Sequence, residues 1–484
     1  MKIIILGAGR VGESVADSLV SERNDITVID TDAERLRDLE SRYDLRGVVG
    51  NGIEPTVLAE AGARDTDLLI ACAAQDETNL VCCKIAQLVF NIPTRIARVR
   101  STGIEFDDRL VGAEGFAVDR IICPEDSLTH YIGKLIEFPE AMQVREFAGG
   151  RACLVAVRAR AGAPMVNHTV GELRESHPDL GVRVVAIYRR FPDEPDRFVA
   201  CDGRTRIEPG DEVFMLAARE HIKDVLAAMH RPERQALQPV RRILIAGGGS
   251  VSLRLAQQLA QKAGRFHTKI IEPNPERCTQ LASVLPSETL VLQGDPTDEN
   301  LLGDEGVEET DLFLALTDDD ENNIMSCLLA KRMGARRVLA LINRRSYADL
   351  MHGTQIDIAL SPAQAMLGEL LAYVRQGDVQ AVHSLRRGVA EALEIVARGD
   401  RKSSRVVGRK VSELSLPRDV HMGLIVRGLP ESPDVAADEL REPQVIIPRS
   451  STVIESNDHV VFFLPNKRLV REVEKLFRVS ATFF

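Results

Sequence analysis

Tryptophan is absent from the 484 residues, and Phe and Tyr bring the aromatic share to only 4%. So little aromatic surface argues against a stacking platform for bases or sugars. Positive charge is also short: 61 Lys and Arg stand against 72 Asp and Glu, a net charge of −11. A protein held on nucleic acid by phosphate neutralisation needs the opposite balance, and no dense Lys/Arg stripe restores it locally. No apolar run approaches the ~18 residues needed to cross a bilayer. The start, Met1 to Leu6, runs straight into Gly7 without a leader-like segment, so a cytoplasmic protein is expected. None of the eight cysteines (72, 82, 83, 123, 153, 201, 278 and 327) forms a Cys-x-x-Cys pair, and the ten histidines lack ligand spacing. Reduced core thiols and no metal site are the expectation.

What remains is ordinary globular material, 44% hydrophobic and 27% charged, which excludes a mainly disordered chain. At roughly 150 residues per domain the length suggests about three domains. Internal duplication sharpens that number. Residues 50–86 align without gaps on 294–330, an offset of 244, with twelve of 37 positions identical, among them Gly50/Gly294, Asp67/Asp311, Asp76/Asp320, Asn79/Asn323 and Cys83/Cys327. Chance predicts about two or three. Upstream, Ile3 to Gly9 matches Ile243 to Gly249, and a weaker match pairs His168–Leu173 with Arg409–Leu414. The chain is therefore a tandem repeat.

Within the first copy, short apolar runs near 2–6, 26–29, 46–49, 67–71, 95–99 and 117–119 alternate with helical patterns near 10–22, 32–42, 54–61 and 77–90. Such alternation predicts right-handed crossovers and a parallel, doubly wound sheet. An apolar stripe of Leu128, Tyr131, Ile132, Leu135 and Ile136 predicts a further helix over 126–136. Each copy then continues into a strand-rich lobe with two short helices, a small α+β domain. These lobes contain strands Val184–Tyr188 and Met422–Val426, Pro-rich acidic loops around 191–197 and 429–443, and closing helices at 219–229 and 466–477. The fold class is α/β, two tandem Rossmann-like domains each followed by a small α+β lobe.

Gly7-Ala8-Gly9-Arg10-Val11-Gly12 joins a strand to a helix, the context in which a Gly-x-Gly-x-x-Gly turn cradles a pyrophosphate. Asp30, 18 residues past Gly12 with Thr31 beside it, closes the second strand. A carboxylate there hydrogen-bonds a ribose diol and repels a 2′-phosphate, favouring NAD(H) or an adenine nucleotide over NADP(H). Arg10 is placed to reach a pyrophosphate or terminal phosphate. Ala73 and Ala74 are expected along the crevice wall. Asp76, Glu77 and the acidic run 318–321 are expected to be helix starts, with a cation at 318–321 as the alternative. The second turn, Gly247-Gly248-Gly249-Ser250-Val251-Ser252, exchanges Arg10 for Ser250 and Gly12 for Ser252, with Glu272 in the place of Asp30. A second ligand site there would use Gly247, Gly249, Ser250, Glu272, Asp295 and Thr317.

With Gly50-Asn51-Gly52 and Asp119-Arg120-Ile121-Ile122-Cys123-Pro124-Glu125, this order of domains and motifs resembles the TrkA family of tandem RCK (KTN) proteins over essentially the whole chain. The resemblance implies a homo-oligomeric ring, expected as a tetramer, on the inner face of the cell membrane. Its partner would be a TrkH-type or TrkG-type potassium channel subunit, and its ligands NAD(H), ATP or ADP. It also implies that Arg10 meets a terminal phosphate, that Asn51 and Arg98 lie near the nucleotide, and that Glu125 serves a metal or inter-subunit contact. The second copy has Ser250, Ile342 and Ala363 at the positions of Arg10, Arg98 and Glu125. The expected domains are a first Rossmann domain 1–123, helix and linker 124–142, small lobe 143–231, linker 232–239, second Rossmann domain 240–360, helix and linker 361–386, and small lobe 387–484. Regulation of a different ion transporter is one alternative. An NAD-dependent oxidoreductase is another, disfavoured because neither small lobe offers an acid–base pair for hydride transfer.

Overall fold

The computed structural model describes residues 1–20, 24–101, 108–176, 181–191, 194–199, 201–230, 238–262, 264–344, 347, 350–351, 355–375, 378–386, 389–430 and 442–479. Strands β1 (Lys2–Leu6), β2 (Asp25–Asp30), β3 (Arg46–Val49), β4 (Leu68–Ala71), β5 (Thr94–Arg98) and β6 (Arg120–Ile122) form one parallel sheet in the order β3-β2-β1-β4-β5-β6. The strands of its centre are buried on both faces, which is why they read as continuous apolar runs. Helices α1 (Arg10–Val20), α2 (Ala33–Arg42), α3 (Pro55–Glu60) and α4 (Asp76–Phe90) make the crossovers. Asp32 caps α2 by accepting the N–H groups of Glu34 at 2.9 Å and Arg35 at 3.2 Å. The strand order reverses between β1 and β4, opening the crevice in which such sheets bind ligands.

The last expected strand is displaced. It lies at Arg120–Ile122, not 117–119, because Ala117 has φ of 56° and Val118 donates back to Val111 at 2.9 Å, so that stretch is a turn. The following helix runs from Pro124 to Glu137, starting two residues before the expected 126, as a proline at the first helical position allows. The expected tail of α1, residues 21 and 22, lies outside the described residues.

Next come the small antiparallel sheet strands β7 (Gln143–Phe147), β8 (Ala152–Arg158), β9 (Val182–Arg189), β10 (Arg197–Val199) and β11 (Glu212–Ala218), in the order β10-β9-β11-β8-β7. The second copy repeats both sheets. Strands β12 (Arg242–Ala246), β13 (His267–Glu272), β14 (Thr289–Gln293), β15 (Leu312–Ala315), β16 (Val338–Leu341) and β17 (Ile358–Leu360) are ordered β14-β13-β12-β15-β16-β17. Strands β18 (Val379–Leu385), β19 (Ala390–Val396), β20 (His421–Arg427), β21 (Gln444–Ile446) and β22 (His459–Leu464) are ordered β18-β19-β22-β20-β21, the same topology as the first small sheet. Since β18 is an edge strand paired with β19, the expected linker 361–386 ends too late. The closing helices are shorter than expected, Ile222–Ala228 and Val470–Phe477, each preceded by a 3₁₀ turn. The helix Val170–Ser176 is reduced in the second lobe to a turn at Val411–Glu413. Parts of the two acidic loops, 192–193 and 431–441, lie outside the described residues.

The four sheets group into two compact units. One contains 1–130 and 241–370, both Rossmann sheets; the other contains 131–240 and 371–484, both small sheets. In the second unit Phe147, Leu154, Phe214, Leu385, Leu424 and Phe463 share one core, so neither small sheet has an apolar face of its own to spare. The Glu394 carboxylate of β19 accepts the Ala148 N–H at 2.8 Å, and His383 Nε2 meets the Glu146 carbonyl at 2.9 Å. All eight cysteines are free, and burial pushes the thiols of Cys72, Cys82, Cys123 and Cys153 up to about 12. No described helix is long and apolar enough to cross a membrane.

Candidate functional site

Both glycine turns border one cleft of about 1460 Å³ within the Rossmann unit. The first turn is built by three glycines that act differently. Gly7 has φ of +102° and donates to the Ile29 carbonyl at 2.8 Å, a conformation and proximity only glycine accepts comfortably. At Gly12 a Cβ would lie 1.8 Å from the Gly7 carbonyl oxygen, so α1 crosses directly over the turn. At Gly9 a Cβ would meet nothing within 4 Å. Among the described residues no packing contact requires glycine there, and the space in front of it has room for a ligand. The first turn of α1 leaves its N–H groups pointing into the same space, with the positive end of the helix dipole.

Among the expected residues, Gly7, Gly9, Arg10, Val11, Asp30, Thr31, Asn51, Ala73, Ala74, Arg98 and Glu125 all line the cleft. Ala8 and Gly12 are buried behind the turn and support it instead. Arg10 is exposed and makes no ion pair among the described residues. Asp30 carries a duty that the sequence did not disclose. Its Oδ2 accepts the Ala8 N–H at 2.6 Å and its Oδ1 the Asp32 N–H at 2.9 Å, tying the glycine turn to the end of β2. Each oxygen keeps lone-pair capacity toward the cleft.

The same cleft is lined by a cluster of Arg98, Arg100 and Glu125. Glu125 Oε1 is 3.8 Å from Arg98 Nη2 and 3.5 Å from Arg100 Nε, two loose contacts rather than close hydrogen bonds. Among the described residues Arg98 Nε is buried without a hydrogen-bond partner. Burial, with Arg100 adding to it and Glu125 opposing, pulls the Arg98 guanidinium below its ordinary value. A buried cation left partly unsatisfied is suited to an incoming anion. No cluster of metal-binding side chains occurs among the described residues.

The second turn keeps the scaffold and changes the charge. Gly247 has φ of +96°, and Glu272 repeats Asp30 by accepting the Gly248 N–H at 2.7 Å and the Asn274 N–H at 2.9 Å. Gly247, Gly249, Ser250, Glu272, Asp295 and Thr317 all line the cleft. Ser252 replaces Gly12 and is fully buried, so its helix cannot approach the turn as closely as α1 does. Although Ser250 stands in the place of Arg10, this side has cations of its own: Arg277 and Arg344 also line it. Both are engaged, Arg277 Nε with the Gly248 carbonyl at 2.7 Å and Arg344 Nη1 with Glu321 at 2.9 Å. The first side presents Arg10, Arg35, Arg98 and Arg100 against Asp30 and Glu125. The second presents Arg277 and Arg344 against Glu272, Asp295, Asp318, Asp319, Asp320 and Glu321. Among the described residues, cations prevail on the first side and carboxylates on the second, so the local charge suits a polyphosphate better at the first.

The acidic helix starts act on backbone. Asp76 Oδ2 accepts the N–H groups of Arg100 at 2.9 Å and Ser101 at 3.0 Å; Asp320 does the same for Asn343 and Arg344, each at 2.8 Å. Asn79 was visible in the repeat but its task was not. Its Oδ1 accepts the Ala73 N–H at 2.8 Å and its Nδ2 donates to the carbonyls of Ala73 at 3.1 Å and Arg98 at 2.9 Å, clasping the ends of β4 and β5. Asn323 clasps Thr317 and Leu341 likewise. The shared Asp-Glu-x-Asn spacing was the available signal.

The family model of the TrkA-N domain matches residues 3–124 and 243–362, and that of the TrkA-C domain matches 154–230. Over its full length the chain is 48% identical to the Trk system potassium uptake protein TrkA of Halomonas elongata and 45% identical to that of Vibrio alginolyticus, with 100% of both chains covered in each case. Among solved structures, the GsuK RCK domain superposes with a TM-score of 0.57 at 16% identity, covering 98% of this chain and 94% of that one. The GsuK channel bound to NAD gives 0.57 at 15% identity, covering 98% and 78%. At that identity the likeness is one of fold.

Proposed function

Since the chain belongs to the TrkA family, we propose that it is a nucleotide-controlled regulatory subunit of a potassium-uptake system. Its relatives carry the name of that system. The observation that supports ligand control best is the open space at Gly9 at the N-terminal end of α1, in a cleft that Arg10, Arg98 and Arg100 also line. Those groups suit a diphosphate or triphosphate chain. Asp30 suits the ribose diol and disfavours a 2′-phosphate. The ligands are therefore NAD(H), ATP and ADP at the first turn.

The response is an allosteric one. A nucleotide controls the membrane subunit only by binding one arrangement of the chain more tightly than another, because equal affinity for both shifts nothing. The partner is a TrkH-type or TrkG-type channel subunit met at the inner face of the membrane by a ring of these chains, a tetramer. The protein binds nucleotide without turning it over, since neither small lobe offers an acid–base pair for hydride transfer. Calorimetry with NADH and NADPH, paired with a steady-state assay for NADH oxidation, tests this. Tighter NADH binding with no turnover is expected; equal affinities or substrate-dependent oxidation would overturn it. Complementation of a potassium-uptake defect tests the transporter assignment.

A further inference from the structure

Arg254 lies one turn into the helix Ser250–Ala260, which begins at the second glycine turn, yet its guanidinium is bonded to the other Rossmann domain. Its Nη1 pairs with Asp126, and its Nη2 donates to the Arg100 carbonyl at 2.6 Å; the side chain is 17% exposed. Asp126 follows Glu125 in the first turn of the helix Pro124–Glu137, and Arg100 is one of the two arginines that reach Glu125. The contact is not reciprocated. The residue matching Arg254 in α1 is Ser14, and the residue matching Asp126 after Pro362 is Gln364, between which no ion pair can form.

We infer that Arg254 is a positioning residue through which occupancy of the first glycine turn is transmitted to the second. The inference rests on reading the first turn as a nucleotide site. Glu125 holds Arg98 and Arg100 only loosely, at 3.8 and 3.5 Å. A phosphate in the cradle is a stronger acceptor for both guanidinium groups and releases the Glu125 carboxylate. The backbone at Arg100 is anchored by Asp76, so the element left to respond is the first turn of the helix carrying Glu125 and Asp126. Arg254 bridges these two parts, and a change in their spacing bears directly on Ser250–Ala260. By linkage, whatever binds the second turn alters first-turn affinity by the same factor. The missing mirror contact makes the Arg254 bridge one-sided; on the helix that carries Asp126, Ser127 Oγ also donates to Glu369 of the second copy at 2.7 Å.

Hydrogen exchange of the segment 250–260, measured on the full chain with and without NADH, tests the relay. In the natural sequence NADH should slow exchange of this segment. In Arg254→Ala, NADH should still bind, with affinity changed by roughly threefold to tenfold, while the exchange response of 250–260 disappears. The reversed pair Arg254→Asp with Asp126→Arg should regain that response, whereas a merely structural role would leave the NADH-dependent difference intact. If Arg254→Ala proves too unstable to measure, Arg254→Lys, which keeps the charge but not the two-pronged contact, should show a reduced response. NADH binding with an unchanged exchange response in Arg254→Ala or Arg254→Lys, or no regain in the reversed pair, overturns the relay alone. Absence of NADH binding to the natural sequence overturns the nucleotide reading and the relay together.

Discussion

Asp30 holds Ala8 by a 2.6 Å hydrogen bond from the Ala8 backbone N–H, and its second oxygen holds Asp32 at 2.9 Å. The residue best placed to read a ribose therefore also builds the turn that holds the phosphates. Asp30→Asn keeps an oxygen for the Ala8 N–H but loses the charge and the second acceptor, which holds the Asp32 N–H. NADH affinity should fall by about tenfold, and NADPH affinity should fall less or rise, because a repelling charge beside the 2′-phosphate is gone. Titration calorimetry with both ligands is the measurement. A parallel loss for the two would mean that Asp30 serves the turn only.

Gly9 and Gly12 should respond oppositely to alanine. A Cβ at Gly12 would lie 1.8 Å from the Gly7 carbonyl oxygen, whereas at Gly9 it would meet nothing within 4 Å. Gly12→Ala should lower the melting temperature markedly, with a cost on the order of 1–3 kcal/mol. Gly9→Ala should melt near the natural protein yet bind NADH at least tenfold more weakly, since the added methyl occupies the phosphate cradle. Normal NADH binding by Gly9→Ala would remove the cradle from the account.

Arg10 should distinguish nucleotides by their terminal charge. Arg10→Ala is expected to weaken ATP more than ADP, with a gap of about 1 kcal/mol for one solvated charge contact. Ser250→Ala in the second turn should change either affinity little. In a reconstituted channel assay the Arg10 variant should blunt the response to ATP while the ring still assembles. The reverse pattern would place the sensing half in the second copy.

His383 ties acidity to the unit of small sheets. Burial, with Arg145 adding to it, brings its imidazole down to about 4, while the contact with the Glu146 carbonyl opposes the shift. The unfolded chain, with an ordinary histidine near 6.5, binds the proton first. The stabilisation is therefore complete above about pH 6.5 and is lost as pH falls from there toward 4. It amounts to order 2–3 kcal/mol. Urea unfolding between pH 7 and 4.5 should show a steeper decline for the natural chain than for His383→Gln, and identical slopes would contradict the assignment.

The doubly wound sheets were legible because buried parallel strands are apolar along their whole length, as in Ile3-Ile4-Ile5, and because the glycine turn sits between strand and helix. The repeat made the second copy legible through the first. Misplacement of β6 came from Ala117 and Val118, whose apolar character imitates a strand while the left-handed φ at Ala117 makes a turn. Pairwise contacts at long separation were not legible. Arg254 and Asp126 are 128 residues apart, and nothing local to either identifies the other. Nor did the loss of Arg10 at Ser250 reveal Arg277, whose reach to the Gly248 carbonyl depends on how its helix packs over the turn.

The common core beneath the two small sheets has a consequence for how such chains can be divided. Phe147 and Phe214 come from the first copy and Phe463 and Leu385 from the second, and each set covers the other. Covalent linkage makes the meeting of the two surfaces an intramolecular event, independent of chain concentration. A gene truncated after the first copy would encode a half that must recruit another molecule to cover Phe147 and Phe214, and its folding would become concentration-dependent. Tandem duplication thus turns an association between molecules into a property of one, and leaves each copy free to diverge only where the other does not rest on it.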